Sequence, residues 1–135
     1  CDIGCGTGTV LLKIARECNP QKCVGIENKK MFYFLAKINL LVNKTHTSNI
    51  ELIHKDIKDF SIKNFSVIYI FMTERFIKEN LMTKFKNELK PGTIIISNMF
   101  KLPYDSQIKL IRKTPTERIM GTSKMSYLRI YKVMS

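Results

Sequence analysis

Apolar residues recur along the chain at two alternating spacings, one typical of amphipathic helices and one typical of buried strands. Three segments have helical spacing: 9–18, 31–43 and 74–89. Four short apolar runs suit buried strands: 22–27, 49–54, 65–71 and 93–98. Strand and helix therefore alternate, and this alternation predicts a largely parallel sheet with helices on both faces.

The two ends of the chain depart from this alternation. Cys1–Ile3 has the character of a strand's last residues, and Gly4–Gly8 that of a turn. Residues 106–114 and 126–134 are two β-rich segments with no helical crossover between them, which favours an antiparallel hairpin. The predicted fold is thus a doubly wound, mixed α/β sheet with a C-terminal antiparallel hairpin. It is expected to be N-terminally truncated, with an incomplete first strand.

A glycine-rich turn, Asp2-Ile3-Gly4-Cys5-Gly6-Thr7-Gly8, joins the first strand to the first helix. Glycine accepts positive φ and lets a ligand approach the backbone closely, and N–H groups at a helix start favour electron-rich groups. The dinucleotide fingerprint has its third glycine one residue later, and the acid two residues before Gly4 disfavours a pyrophosphate. The turn therefore favours a cofactor that carries a cationic group and no phosphate.

Two further acids come directly after predicted strands. Glu27 ends the second strand, 19 residues after Gly8, where a carboxylate can accept hydrogen bonds from both hydroxyls of a ribose. Its neighbour Asn28 has an alternative role as the N-cap of the following helix. Asp56 follows the third strand, where it can equally form an Asx-turn, and Asp59 is a possible substitute for it.

The loop and the acids resemble class I S-adenosyl-L-methionine-dependent methyltransferases, whose motif I is similar to Asp-x-Gly-x-Gly-x-Gly. The resemblance implies a Rossmann-like domain over residues 1–135 and S-adenosyl-L-methionine as cofactor. In that family the glycine turn lies under the methionyl part, the first acid fixes its amino group, and the loop after the third strand reaches the adenine. The implied cofactor-binding residues are Asp2, Gly4, Cys5, Gly6, Gly8, Glu27, Asn28, Asp56 and Ile57.

The fourth predicted strand bears on the methyl acceptor. It ends in Tyr69-Ile70-Phe71-Met72 and lacks the Asn/Asp-Pro-Pro-Tyr/Phe ending of enzymes that methylate adenine, cytosine or glutamine. Together with Glu88–Asn98 it is similar to the protein-lysine methyltransferases that include the archaeal lysine enzymes and the ATP synthase c-subunit lysine N-methyltransferase. Asn98 stands where that group usually has His. The resemblance implies a lysine acceptor positioned by Tyr69 and Phe71, although either ring suits a buried strand equally well.

The net charge of +12 keeps other functions open. A basic surface is typical of proteins that bind nucleic acid, an anionic membrane or an acidic protein. However, the lysines are spread along the whole chain, as a low-GC coding bias would also produce. An RNA methyltransferase and a non-catalytic binding subunit with the cofactor fold therefore remain alternatives to the protein-lysine enzyme.

The cysteines and histidines do not predict a metal site. Cys1, Cys5, Cys18 and Cys23 form no Cys-x-x-Cys pair, and the only histidines are His46 and His54. We expect reduced thiols and an intracellular location, cytoplasmic or mitochondrial. No apolar run reaches the ~18 residues of a membrane-spanning helix. Because the sequence opens inside a motif, an upstream targeting or anchor segment is left open.

Overall fold

The computed structural model describes residues 1–43, 47–118 and 125–135. Its contacts divide the chain into two compact units, Cys1–Phe60 and Ser61–Ser135. His46, one of the two histidines considered above as metal ligands, lies outside the described residues. The single methyltransferase domain over residues 1–135 stays a prediction.

The first unit alternates strand and helix as the sequence predicts. Its elements are β1 (Asp2–Ile3), α1 (Thr9–Cys18), β2 (Cys23–Glu27), α2 (Lys30–Val42) and β3 (Ile50–His54), followed by a short 3-10 turn (Ile57–Asp59). The three strands are parallel, in the order β3-β2-β1. Each boundary from β1 to β3 lies within one residue of its prediction, because the apolar spacing and the flanking turn residues agree here.

A glycine in the middle of β2 lets α1 pack closely on the strand. A Cβ on Gly25 would collide with the side chain of Leu11 and would lie 2.9 Å from Sγ of Cys5. Cys5, Leu11 and Cys23 form a buried apolar cluster at this point. Because Gly25 has no side chain, the glycine-rich turn and α1 can pack closely against the sheet at this point.

Helix α2 lies within one residue of its predicted bounds at each end, and it presents many of its large apolar residues outward. Ala36 is the only residue of α2 that is buried. Six large apolar side chains are exposed, by 42% to 78%, and we call them the α2 stripe: Met31, Phe34, Leu35, Ile38, Leu41 and Val42. Helical spacing identifies a helix that has an apolar face, but it does not show what that face contacts.

The second unit contains a helical segment and four strands. Its elements are β4 (Val67–Ile70), α3 (Glu74–Phe76), a π-helical turn (Ile77–Leu81), α4 (Met82–Glu88), β5 (Ile94–Asn98), β6 (Ile108–Arg118) and β7 (Met125–Val133). Strand β4 is parallel to β5, whereas β7 is antiparallel to both β5 and β6. The predicted C-terminal hairpin is confirmed, and its first strand extends four residues beyond the predicted end.

The continuous helix predicted over residues 74–89 is interrupted by the π-helical turn. There the backbone N–H of Met82 donates to the carbonyl of Ile77, five residues earlier. Four-residue steps advance about 40° beyond a full turn of an α-helix, so a long series of them would leave one face. A wider turn absorbs this drift. It keeps the apolar residues of the series buried: Ile77, Leu81, Phe85 and Leu89.

The mixed α/β fold is therefore confirmed, with parallel strands followed by an antiparallel C-terminal pair. Among the described residues, no helix is long and apolar enough to cross a membrane.

Candidate functional site

The glycine-rich turn is held in place by backbone hydrogen bonds to the end of β2. The N–H groups of Gly4 and Cys5 both donate to the carbonyl of Ile26, at 2.8 and 3.1 Å. Gly4, Gly6 and Gly8 all have positive φ, between 55° and 75°. L side chains rarely adopt this conformation, so the alternating glycines are a requirement of the backbone path.

The space above the turn is open at Gly6 and closed at Gly8. A Cβ on Gly6 would meet no atom within 4 Å, whereas one on Gly8 would lie 3.4 Å from Cβ of Ala36 on α2. Gly8 precedes α1 with no side chain capping the first N–H groups of that helix. The turn thus presents bare backbone to an open space at Gly6, as a bound cofactor requires.

The buried carboxylate of Glu27 joins β2 to the turn. Its Oε2 accepts a hydrogen bond from the N–H of Gly6, and its Oε1 accepts one from the N–H of Lys29, both at 2.9 Å. The side chain is 6% exposed. A carboxylate offers about four lone-pair sites, so these two bonds leave acceptor capacity for ligand hydroxyls. Glu27 therefore fixes the turn in addition to the ribose contact that the sequence suggests.

Asp2 is buried beneath the same turn, with 3% exposure. Burial raises the pKa of its carboxyl to about 7, and the charge of Glu27 adds to this shift. Burial likewise raises the pKa of the Cys5 thiol to about 12. Cys5 is therefore a packing residue and not a nucleophile at neutral pH.

The remaining predicted cofactor residues lie where β2 and β3 end. Oδ1 of Asp56 accepts from the N–H of Lys58 at 2.9 Å, so Asp56 does form the Asx-type turn that we considered. Ile57 is buried. The N-cap role considered for Asn28 is wrong, because α2 is preceded by Lys29, whose own N–H is bound by Glu27.

Asn39 and His54 make two contacts near the turn that the sequence did not predict. The side-chain amide of Asn39, on α2, donates to the carbonyl of Thr7 at 3.0 Å and so ties the turn to that helix. The ring of His54 stacks on Tyr33 with centroids 5.1 Å apart, and its Nε2 lies 3.1 Å from the carbonyl oxygen of Asn28. A single Asn or His on an element carries no periodic signal that would have indicated either contact.

In the second unit, polar and aromatic side chains meet at the carboxyl ends of β4 and β5. The amide of Asn98 donates to the hydroxyl oxygen of Tyr69 at 3.0 Å. The rings of Phe71 and Phe100 stack with centroids 6.1 Å apart. Met99, which precedes Phe100 in the sequence, has φ of 69°, and its carbonyl accepts from Arg129 at 2.6 Å. Left-handed backbone at a non-glycine residue is uncommon and is concentrated at functional sites.

Within the described part of the chain, no three His, Cys, Asp or Glu side chains form a group able to hold a metal ion. All four cysteines are described, and none of them forms a disulfide.

The fold and the glycine turn are those of class I S-adenosyl-L-methionine-dependent methyltransferases. A solved RNA methyltransferase from Salinibacter ruber, in complex with S-adenosyl-L-homocysteine, has this fold with a TM-score of 0.80 and 19% sequence identity; the match covers 99% of this chain and 79% of that one. The family model of the ANTKMT methyltransferase domain matches residues 2–108. The chain belongs to that family, and the predicted cofactor, S-adenosyl-L-methionine, is confirmed as the cofactor of its class.

Two curated relatives differ in the reactions that their names describe. A protein-lysine N-methyltransferase of Saccharolobus islandicus is 29% identical over 101 residues, which are 75% of this chain and 62% of the relative. A carboxy-S-adenosyl-L-methionine synthase of Aliivibrio salmonicida is 28% identical over 102 residues, 70% of this chain and 41% of the relative. The chain thus spans less than two thirds of the length of either relative.

Proposed function

We propose that the protein transfers the methyl group of S-adenosyl-L-methionine to the amino group of a lysine side chain in a protein. The observation that carries this proposal is the Asn98–Tyr69 hydrogen bond beside the stacked Phe71 and Phe100. The ANTKMT family model and the lysine-methylating relative from Saccharolobus islandicus support it. We further propose an intracellular location, cytoplasmic or mitochondrial, because the four cysteines form no disulfide and because the family resemblance implies it.

The cofactor side of the proposal rests on the first unit. The open space at Gly6 would receive the methionyl part, and Asp2 would bind its amino group. Glu27 would accept hydrogen bonds from the ribose hydroxyls with the lone-pair sites that the N–H groups of Gly6 and Lys29 leave free. Asp56, Ile57 and Asn28 would border the adenine. S-adenosyl-L-methionine supplies an electrophilic methyl carbon on a sulfonium, so the protein need not provide a nucleophile.

The acceptor side rests on the second unit. Methyl transfer requires a neutral amine, whose lone pair forms the N–C bond as the C–S bond breaks; the amine proton then passes to water. A lysine ammonium has an ordinary pKa of about 10.4. An aromatic surface attracts the ammonium and so helps the lysine side chain to bind. This attraction opposes the loss of the proton, which removal of the ammonium from water favours. Phe71 and Phe100 provide such rings, and Asn98 fixes the phenol oxygen to which the amine would donate.

An RNA substrate is the second candidate, because the net charge is +12 and the Salinibacter ruber structure is that of an RNA methyltransferase. The two are separated by incubating the full-length protein with methyl-labelled cofactor and an extract that contains both protein and RNA. We expect label in protein, on lysine, as located by mass spectrometry. Label confined to RNA would overturn the lysine proposal. Loss of the signal in heat-treated enzyme controls for non-enzymatic transfer.

Replacing Tyr69 with Phe should lower turnover on the order of 10²-fold while leaving the Kd for the cofactor unchanged. The substitution removes the oxygen held by Asn98, and loss of alignment between amine and methyl carbon has an effect of this size. Initial rates at saturating cofactor measure it. Tyr104→Phe is the matched control, because Tyr104 is 97% exposed and its rate should be unaffected. Equal rates for both variants would exclude Tyr69 from the acceptor site.

Affinity for the cofactor should rise with pH and level off above about pH 7. The folded-state pKa of Asp2 is raised to about 7, so at lower pH the carboxyl is protonated and cannot pair with the amino group of the cofactor. The same shift means that the proton on Asp2 favours the folded state, a contribution lost as pH rises from about 4 to 7. Calorimetry over this range measures the Kd. The Asp2→Asn variant should bind weakly with no such dependence; a persisting dependence would assign it to another group.

A further inference from the structure

The α2 stripe is a surface that the proposed methyl transfer does not use. At 100° per residue, its six residues fall within an arc of about 120°. The buried Ala36 lies on the opposite side of the helix. A surface helix of a soluble domain ordinarily buries its apolar arc and exposes its polar one. Helix α2 is apolar on both sides, because Phe32 and Leu40 lie half-buried beside Ala36 on the inner side. A helix that is apolar all round is ordinarily buried, so the exposed stripe requires an apolar environment from outside the described residues.

Lysines border the stripe, and α2 contains no acidic residue. Lys30 and Lys37 are exposed and lie along one edge of the arc. Nζ of Lys30 is 6.0 Å from the ring centroid of Phe34, and Nζ of Lys37 is 5.6 Å from that of Tyr33. A lysine in this position lays its methylene groups along an apolar surface and extends its ammonium into the polar layer.

A cavity of about 330 Å³ opens beside the stripe, between α2 and β3. Leu40 and Leu41 line it from the helix, and Ile50 and Leu52 line it from the strand; Lys37 lies at the same cavity. Leu41 belongs to both the cavity and the stripe. The apolar surface is therefore continuous from the outer face of α2 into a recess that suits an aliphatic chain.

We infer that α2 docks the protein on an anionic phospholipid bilayer, with the helix lying in the interface plane and the stripe facing the acyl chains. Exposed apolar residues bordered by lysines are the pattern of an interfacial helix. The charge favours this occupant over a second copy of the chain. A symmetric pair would bring two Lys30 and two Lys37 together, whereas anionic headgroups neutralise them. The net charge of +12 adds long-range attraction to such a surface.

Flotation of the full-length protein with phospholipid vesicles tests the inference. We expect binding to vesicles of phosphatidylcholine mixed with phosphatidylserine and little binding to phosphatidylcholine alone. Leu35→Glu with Ile38→Glu should weaken binding by more than about tenfold, because two charges would enter the apolar layer. Lys30→Gln and Lys37→Gln should each weaken it by about fivefold at low salt. The matched control is Leu110→Glu with Ile111→Glu, two apolar residues on β6 of similar exposure, which should leave vesicle binding unchanged.

Three results would overturn the inference. The first is an absence of binding to anionic vesicles, and the second is equal binding by the α2 and β6 double variants. The third is a fall in Tm confined to the α2 variant, which would show that protein already covers the stripe. Light scattering distinguishes the alternative of a second copy: a dimer that the α2 variant abolishes, without lipid binding by the native protein, also contradicts the bilayer. The Kd for S-adenosyl-L-methionine, which should be the same in every variant, confirms that each one is folded.

Discussion

Replacing Gly6 with Arg should abolish binding of S-adenosyl-L-methionine, with a loss of affinity of more than about a hundredfold. The backbone at Gly6 has φ of 55°, and a Cβ there would point into a space with no atom within 4 Å. An arginine side chain would therefore fill the volume that the turn leaves for the cofactor. Its guanidinium would also repel the cationic sulfonium. Calorimetry with S-adenosyl-L-methionine and with S-adenosyl-L-homocysteine measures the loss.

Gly92 offers a matched control for the Gly6 substitution. It too has positive φ, 91°, with no atom within 4 Å of an added Cβ, and it lies in the turn before β5. Gly92→Arg should cost about 1–3 kcal/mol of folding stability through backbone strain, as Gly6→Arg should, but it should keep cofactor binding. If both arginine variants lost binding in proportion to their loss of Tm, the Gly6 effect would be one of folding and not of occlusion.

The parts of the fold that the sequence predicted well are those in which local and tertiary preferences agree. The predicted boundaries from β1 to β3 lie within one residue of the observed ones, because each apolar series ends at a turn residue, such as the Asn19-Pro20 step after α1. The π-helical turn was missed because it depends on how four buried side chains share one face, and not on any single residue. The apolar spacing over residues 31–43 correctly predicted a helix. It did not show that the α2 stripe faces outward, since spacing alone does not identify the partner of an apolar face.

The same distinction applies to the candidate site, of which the sequence predicted some features and not others. The glycine-rich turn and the acid at the end of β2 could be predicted from the sequence, because each lies next to a strand end that the apolar pattern predicts. The hydrogen bonds that hold the site's side chains in place could not be predicted from the sequence. The contact of Glu27 with Gly6 spans 21 residues, and that of Asn98 with Tyr69 spans 29. Contacts of that separation depend on strand register and side-chain rotamer, which a single sequence does not specify.

Replacing Glu27 with Gln should weaken cofactor binding on the order of 10²-fold. Each carboxylate oxygen accepts one backbone N–H, from Gly6 and from Lys29. An amide offers only one acceptor oxygen, so one of these N–H groups would face an NH₂ donor and lose its partner. A lost hydrogen bond to a charged group costs about 1.5–3 kcal/mol. Any bond to the ribose would weaken as well. Glu51→Gln on β3 is the matched control, because Glu51 is half exposed and pairs with Lys22 at the surface.

A cofactor analogue separates the two roles of Glu27, holding the turn and binding the ribose. The native protein should bind 2′-deoxy S-adenosyl-L-homocysteine more weakly than the parent compound, because the carboxylate would lose one hydroxyl donor. In the Glu27→Gln variant that difference should shrink, while the general loss from the displaced turn remains for both ligands. An undiminished difference in the variant would show that another group binds the ribose, and Glu27 would then act only through its hold on Gly6. Equal affinities of the native protein for both ligands would remove the ribose contact altogether.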